Sequence, residues 1–510
     1  MPPINEILPA NLLQALPVSA KDWVHTPKSV QDLVVGLLER FQATEAEAAR
    51  LLEHLQTTEA EVVHLREQLN RNSGNSSQPP SSDGPGVVRF KGAGKKASGR
   101  KCGGQMGHPG TQRKLVPIEE LKAAYDIKPS HCDRCGEKLS GEDSNPERHQ
   151  VAEIPPAKVE VTEYRLHRLT CPICGAVTRA ELPAGVSRGG FGPRLQAAVG
   201  ILSGCYHLSK RETVGILDDF FKAKLGLGSV SNLEKRTSAA IAQVVEDARS
   251  YVRAQAAVHQ DETGWKEGLK KAWLWVLASQ QVAVFLIDLT RSAAVAKRML
   301  GTDFKGILNT DRWSAYNWVD NSQRQLCWSH LRRDFEAFAE RSGESQVLGE
   351  TLLTLTNQMF TWWHAVCKGS LSRAQFQDQM RPVRTRVGEL LRQGTSCTQP
   401  GTAGTCRDIL KREAALWTFV DVEGVEPTNN FAEQKIRSAV LWRHSSFGTQ
   451  SDAGSRFVER ILTVVGTLKQ QHRNLLDYLT EACEAANQER AAPTLLPTIP
   501  MLTGSSIPSP

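Results

Sequence analysis

Three acidic residues stand in settings where they could converge on metal-assisted phosphodiester chemistry. They are Asp261 in His-Gln-Asp-Glu-Thr-Gly-Trp, Asp311 in Asn-Thr-Asp-Arg-Trp-Ser-Ala-Tyr, and Glu433 in Thr-Asn-Asn-Phe-Ala-Glu-Gln-Lys-Ile-Arg. Cleaving a phosphodiester with two metals needs hard oxygen ligands holding magnesium (or manganese) ions roughly 3.5–4 Å apart, so that a water or hydroxyl is activated and the leaving oxygen stabilised. Two aspartates and a glutamate can supply those ligands. Glu262 rivals Asp261 for the first position, but neighbouring strand residues face opposite ways, so it turns away if Asp261 points into the site. Thr263 and Gly264 then shape the turn after that strand. Asn430, Glu433 and Arg437 share a helix face by their i, i+3 and i+7 spacing, with Asn429 adjacent.

Positioning these groups requires strands that end at the aspartates and a helix packed across them. The sequence reads as a strand ending at Asp261, strands over 272–278 and 282–288, a helix over 292–300, and a strand over 306–310 that delivers Asp311. A strand over 324–328 then leads into a helix from His330 to Glu340. Three strands, helix, strand, strand is the order of a ribonuclease H-like α/β core, assigned to residues 256–490. Strand signals stop between about 343 and 420, where helical patterns at 352–366, 375–391 and 408–419 read as an all-helical insertion. Pro427 then opens a helix carrying Glu433, with Thr428 as its cap. Helices over 456–470 and 475–487 close the domain, and 491–510, rich in Pro, Ser and Thr, reads as a disordered tail.

Cys132 and Cys135 form one Cys-x-x-Cys knuckle followed by Gly136, and Cys171 and Cys174 form a second followed by Gly175. Four thiolates in two such pairs suit a closed tetrahedral structural zinc site, with a glycine after each pair to turn the backbone around the metal. The module spans 116–185, and its 152–170 segment reads as strands. Cys102, His108, His131, His149 and His167 are further candidate ligands. Cys327 and His330 also have metal-like spacing, but a strand end and helix start that shape the active site account for them better, with His330 in a supporting role.

The chain has 510 residues, 40% hydrophobic and 23% charged, which is the composition of a soluble protein able to build several domains. No apolar run reaches the roughly 18 residues of a membrane span, and the N-terminus lacks a signal-peptide pattern, so a cytoplasmic location is expected. The net charge of +7 is a mild bias. Its distribution is more telling, because Arg89 to Lys114 holds eight Lys or Arg and no carboxylate. Within this flexible basic linker (72–115), Lys91, Lys95, Lys96, Arg100 and Lys101 are candidates to lie along DNA phosphates by counterion release. Residues 29–71 read as a coiled coil, with Val34, Phe41, Ala48, Leu55, Val62 and Leu69 at one seam position and Leu37, Leu51 and Leu65 at the other. Thr44 and Thr58 interrupt the second position; self-association is expected. Residues 190–255 are helical, with a Gly-Leu-Gly-Ser-Val-Ser turn suggesting a helix-turn-helix DNA-binding region.

The blocks Asp-Glu-Thr-Gly-Trp from Asp261, Asp-Arg-Trp-Ser-Ala-Tyr from Asp311, Cys-Trp-Ser-His-Leu-Arg-Arg from Cys327, and Asn-Asn-Phe-Ala-Glu-Gln-Lys-Ile-Arg from Asn429 resemble the insertion sequence 66 family of DDE transposases. The resemblance covers most of the chain and implies a multidomain α+β protein with the modules in this order. It implies a catalytic triad of Asp261, Asp311 and Glu433 with magnesium, nicking double-stranded DNA at element ends and then joining the freed 3′-hydroxyl to target DNA. It further implies a bacterial, nucleoid-associated homo-oligomer, accessory proteins of the same element, and no membrane partner. Arg332 and Arg333 become candidate phosphate contacts. Trp313 stands where the family often has tyrosine, and Gln434 where arginine is usual. The competing readings are a non-catalytic zinc-containing DNA-binding protein and a ribonuclease H-like nuclease.

Overall fold

The structure is a computed structural model that describes residues 20–69 and 114–497, falling into two compact units. The basic residues Lys91, Lys95, Lys96, Arg100 and Lys101, with Cys102 and His108, lie outside the described residues, as do most of the linker and the last thirteen positions. Among the described residues no helix is long and apolar enough to cross a membrane.

The first unit holds α1 (Ala20–His25) and α2 (Lys28–Leu69), one unbroken helix through the heptad region. Leu37, Phe41, Leu51, Leu55 and Val62 are all exposed along it. Thr44 and Thr58 turn their hydroxyls back onto the carbonyls of Arg40 and His54, at 2.9 and 2.7 Å, which satisfies a polar group within the helix at the interrupted seam position.

In the second unit, the 152–170 segment is less regular than its pattern suggests. Only β1 (Arg168–Thr170) forms there, pairing with β2 (Val177–Arg179) around the second cysteine knuckle. Four helices follow: α3 (Pro193–Gly204), α4 (Lys210–Phe221), α5 (Leu227–Ala240) and α6 (Ala242–Arg253). The glycine-rich stretch expected as a turn is instead the first turn of α5. Buried Val230, Leu233 and Thr237 give it a helical stripe that outweighs the glycines, and the chain reverses earlier, at left-handed Lys222.

The sheet comprises β3 (Ala257–Glu267), β4 (Lys270–Ala278), β5 (Ala283–Asp288), then after α7 (Ala293–Leu300) β6 (Ile307–Thr310) and β7 (Arg324–Leu326). Its order is β5-β4-β3-β6-β7, antiparallel from β5 to β3 and parallel from β3 to β7. β3 does not end at Asp261; it runs six residues further to a tight reversal at Gly268, whose φ of 58° is left-handed. Gly264 therefore sits inside the strand. A Cβ there would lie 3.2 Å from Arg443, which instead donates to the Gly264 carbonyl at 2.5 Å.

Beyond β7 come α8 (Trp328–Ala339) and then, across the 343–420 stretch expected to be helical, α9 (Glu344–Cys367), α10 (Arg373–Gly394), α11 (Pro400–Leu410) and the start of α12 (Thr418–Asp421), with no strand among these described residues. These helices share a core, including Phe335 of α8 with Leu352, Phe376, Leu391 and Trp417, distinct from the main core of the sheet. The insertion closes the β7 edge: buried Gln325 accepts from Phe419 N at 2.8 Å, and Thr418 donates to the Arg324 carbonyl at 2.6 Å.

The last three helices are α13 (Asn430–Ser446), α14 (Asp452–Gln470) and α15 (Leu475–Asn487). α14 closes the opposite edge. Glu459, Thr463 and Thr467 accept the backbone N–H groups of Ile287, Phe285 and Ala283. Four residues of helix rise about 6 Å and two of strand about 6.8 Å, so side chains at every fourth helix position can follow every second strand position. An edge that would otherwise offer free donors is thereby covered. The start of the expected disordered tail is ordered: Leu495 is 1% exposed, and its carbonyl accepts from Gln471 at 3.0 Å.

Candidate active site

Parallel pairing sets the two aspartates level. His259 of β3 is in register with Asn309 of β6, and Asp261 and Asp311 each lie two residues further on. Adjacent strands run about 4.8 Å apart, so the two aspartates lie side by side just past the end of the β3–β6 pairing, Asp311 directly after β6 and Asp261 within the longer β3. One oxygen of each is already used locally, Asp261 Oδ1 by the backbone N–H of Glu262 and Asp311 Oδ1 by that of Trp313, both at 2.9 Å. The turn after β6 is fixed by buried Arg324, which donates to the Asp311 carbonyl at 2.8 Å and to Thr310 Oγ1 at 3.0 Å. Burial, with the nearby charge of Arg412, brings that guanidinium down to about 10.

Glu433 arrives on α13, whose start is tied to both aspartate-bearing strands. Asn309 of β6 donates to the carbonyls of Glu426 and Thr428 at 2.8 and 3.0 Å. Asn429, 1% exposed, donates to the Gln260 carbonyl of β3 at 2.8 Å, and its oxygen lies 3.2 Å from His259 Nδ1. Asn429, not Thr428, is the N-cap residue, and it makes no side-chain cap hydrogen bond because its amide is committed to β3. Its backbone N–H donates to Cys327 Sγ at 3.1 Å. Burial keeps His259 neutral, down at about 4.

The site concentrates negative charge. Burial and then the charges of Glu262, Asp311 and Glu433 push the Asp261 carboxyl well above its usual range. Burial alone would lower His330, but hydrogen bonding and charge from Cys327, then Asp311 and Glu433, outweigh it and bring the imidazole to about 9. His330 Nδ1 lies 3.7 Å from Glu433 Oε1, and neither buried atom has a hydrogen-bond partner. Three carboxylates that feel one another's charge, one with an orphaned oxygen, are the hard donor set a divalent cation takes, and Asp261, Asp311 and Glu433 are the residues that could hold it. Among the described residues, however, the three ligand atoms that lie within 4.8 Å of one another are those of Cys327, His330 and Glu433.

Glu262, expected to turn away from the site, does not face solvent, and it is the first of the charges acting on Asp261. Its side chain is 1% exposed, accepting from Tyr316 at 2.6 Å and from Arg291 Nε and Nη2 at 2.9 and 2.6 Å. The Arg291 guanidinium stacks 4.0 Å from the Trp313 ring and 4.9 Å from that of Trp273. Burial and the charge of Asp311 raise the Glu262 carboxyl. Sequence reasoning missed Arg291, Tyr316, Asn309 and Arg324; the one available signal was Trp313, whose ring is the stacking face for Arg291.

The remaining expected residues are dispersed. Asn430 and Arg437 share the outer face of α13 with Glu433, and Asn430 accepts from Ser329 at 3.1 Å. On α8, Arg332 is exposed and pairs with Glu336 at 3.3 Å, and Arg333 is half-buried.

The cysteine pairs form two knuckles of the same construction. Cys132 N donates to the Glu137 carbonyl and Gly136 N to that of Cys132; Cys171 N donates to Ala176 and Gly175 N to Cys171, all at 2.8–2.9 Å. Gly136 and Gly175 have φ of 74° and 70°, the left-handed turn that needs glycine. Backbone N–H groups of Arg134 and Cys135 lower the Cys132 thiol, and those of Cys174 and Ile173 lower Cys171, which suits thiolate ligands. His131 is committed to Ser130 at 3.0 Å, and His149 and His167 are exposed.

Comparison with known proteins matches residues 188–456, more than half of the chain, to the transposase IS66 family. Residues 129–175 match the zinc-finger binding domain of transposase IS66, and residues 34–114 a family of unknown function. Uncharacterized protein y4qI of Sinorhizobium fredii is 29% identical over 234 residues, covering 41% of this chain and 43% of that protein. The match thus spans less than half of that relative's length.

Proposed function

The chain belongs to the IS66 transposase family, and on that premise we propose that it binds the ends of an insertion sequence and cuts and rejoins DNA with Asp261, Asp311 and Glu433 as its catalytic carboxylates. The observation that carries this reading is the double tie on α13: Asn309, two residues before one aspartate, and Gln260, directly before the other, both hold the segment leading to Glu433.

When bound, magnesium ions held by these three residues supply Lewis-acid activation of a water or 3′-hydroxyl and neutralise the leaving oxygen. The chain does the positioning. The β3–β6 register sets the aspartates level, Arg324 fixes the turn that carries Asp311, and Asn429 fixes the height of Glu433 against β3. His330 stands beside Glu433, its Nδ1 3.7 Å from Oε1, and limits where that carboxylate can swing. On the outer faces of α8 and α13, Arg332, Arg333 and Arg437 meet DNA phosphates, with Asn430 beside them.

The five-stranded mixed sheet with its helical insertion is read as a ribonuclease H-like core within residues 256–490. The knuckles at Cys132, Cys135, Cys171 and Cys174 hold structural zinc and recognise element ends together with the helical region at 190–255. α2 pairs with its copy in a second chain as a coiled coil, giving a homo-oligomer that works in the bacterial cytoplasm on nucleoid DNA, with accessory proteins of the same element. The test is incubation of the full chain with duplex DNA carrying the element's terminal repeat. Magnesium-dependent nicks that leave 3′-hydroxyls at the repeat boundary support the reading, and intact DNA under conditions of demonstrated binding removes it.

A further inference from the structure

Cys327 and His330 are three residues apart at the start of α8, and spacing alone left them without a third partner. The fold provides one. Cys327 Sγ, a ring nitrogen of His330 and a carboxylate oxygen of Glu433 lie within 4.8 Å of one another, the group of three such ligand atoms found among the described residues.

We propose that Cys327, His330 and Glu433 form a three-ligand site for zinc that shares Glu433 with the magnesium set and competes with it. Four observations carry this. First, His330 Nδ1 and Glu433 Oε1 are both buried without a hydrogen-bond partner, 3.7 Å apart, too far to bond one another. Leaving two such atoms unsatisfied is costly, and a cation between them would satisfy both. Second, two nitrogen or oxygen ligands about 2.1 Å from one tetrahedral ion lie about 3.4 Å apart, so the observed pair needs to close by only a few tenths of an ångström. Third, the third ligand is a sulfur that is 1% exposed. Thiolate with imidazole selects a borderline metal of the zinc class over magnesium, and three protein ligands leave a fourth position open. Fourth, Asn429 N donates to Cys327 Sγ at 3.1 Å, the outer-shell hydrogen bond expected of a ligating thiolate.

Occupancy draws Glu433 away from Asp261 and Asp311, so zinc at this site switches off magnesium-dependent cleavage. That consequence rests on the function proposed above; the site itself does not.

The test is a cobalt(II) titration of the full-length chain, with its four knuckle cysteines already loaded with zinc and no DNA present. One further equivalent of cobalt with a thiolate-to-cobalt charge-transfer band is expected. The band disappears in Cys327→Ser, and cobalt binds at least about tenfold more weakly in Glu433→Gln, whose half-exposed side chain makes misfolding a poor explanation. No band in the wild type, or an unchanged band in Cys327→Ser, overturns the site. Cleavage without the band removes the site and leaves the proposed function standing, whereas the band without cleavage does the reverse.

Discussion

The side-chain amide of Asn429 donates 2.8 Å to the backbone carbonyl of Gln260, the residue immediately before Asp261. One hydrogen bond thus joins the helix of one candidate catalytic carboxylate to the strand of another across 169 positions of sequence. Asn429→Ala removes it, together with the contact to His259. The expected result is a loss of about 1–3 kcal/mol in stability from unsatisfied buried groups. Cleavage falls roughly a hundredfold, because a displacement of about 1 Å costs that much. DNA-end binding, measured by gel shift, stays within about twofold.

Arg291 holds Glu262 while its guanidinium lies against Trp313 and Trp273. A planar, delocalised cation is needed for both contacts, and lysine offers only a point charge. Arg291→Ala is expected to cost about 2 kcal/mol, less than a fully buried pair because the arginine side chain is 35% exposed. Arg291→Lys recovers part of the stability but not the ring contacts. Thermal melting of the three proteins separates these outcomes.

Glu459 closes the β5 edge with a carboxyl that burial brings up to about 7, against the opposing pull of Arg456. The folded state therefore binds a proton that the unfolded chain, with a value of 4.5, has released. Its contribution is fully present below pH 4.5, declines as pH rises to 7, and is flat above. Melting temperature relative to Glu459→Gln should fall across that window, with a total change of about 3 kcal/mol. A pH-independent difference contradicts the assignment.

The exposed apolar seam of α2 is expected to pair with a second copy. Replacing Leu37 and Leu51 with glutamate puts like charges into that seam, and light scattering should register a fall from oligomer to a smaller species. An unchanged mass would remove the coiled coil as the contact.

Much of this site was legible because its chemistry is local in sequence. Asp311 follows a short apolar strand, the two cysteine pairs repeat their glycine, and the helical insertion announces itself by the loss of strand signals. What escaped was tertiary. Alternation set Glu262 aside as the rival of Asp261, but could not show that Arg291 and Tyr316 hold its carboxylate. Gly264 looked like a turn residue, although its lack of a Cβ serves the approach of Arg443 from a helix 179 positions later. Thr428 had the chemistry of a cap, and Asn429 took the place while spending its side chain on β3. The ladder from α14 to β5 depends on a match of helix and strand rise that no local pattern carries.

The most direct test is cleavage of end-labelled terminal-repeat DNA by wild type and Asp311→Asn, with binding measured on the same samples. Removing one metal ligand forfeits several kcal/mol of transition-state stabilisation, about a thousandfold in rate. The account predicts that loss with end binding retained. Full-rate cleavage by Asp311→Asn would contradict it.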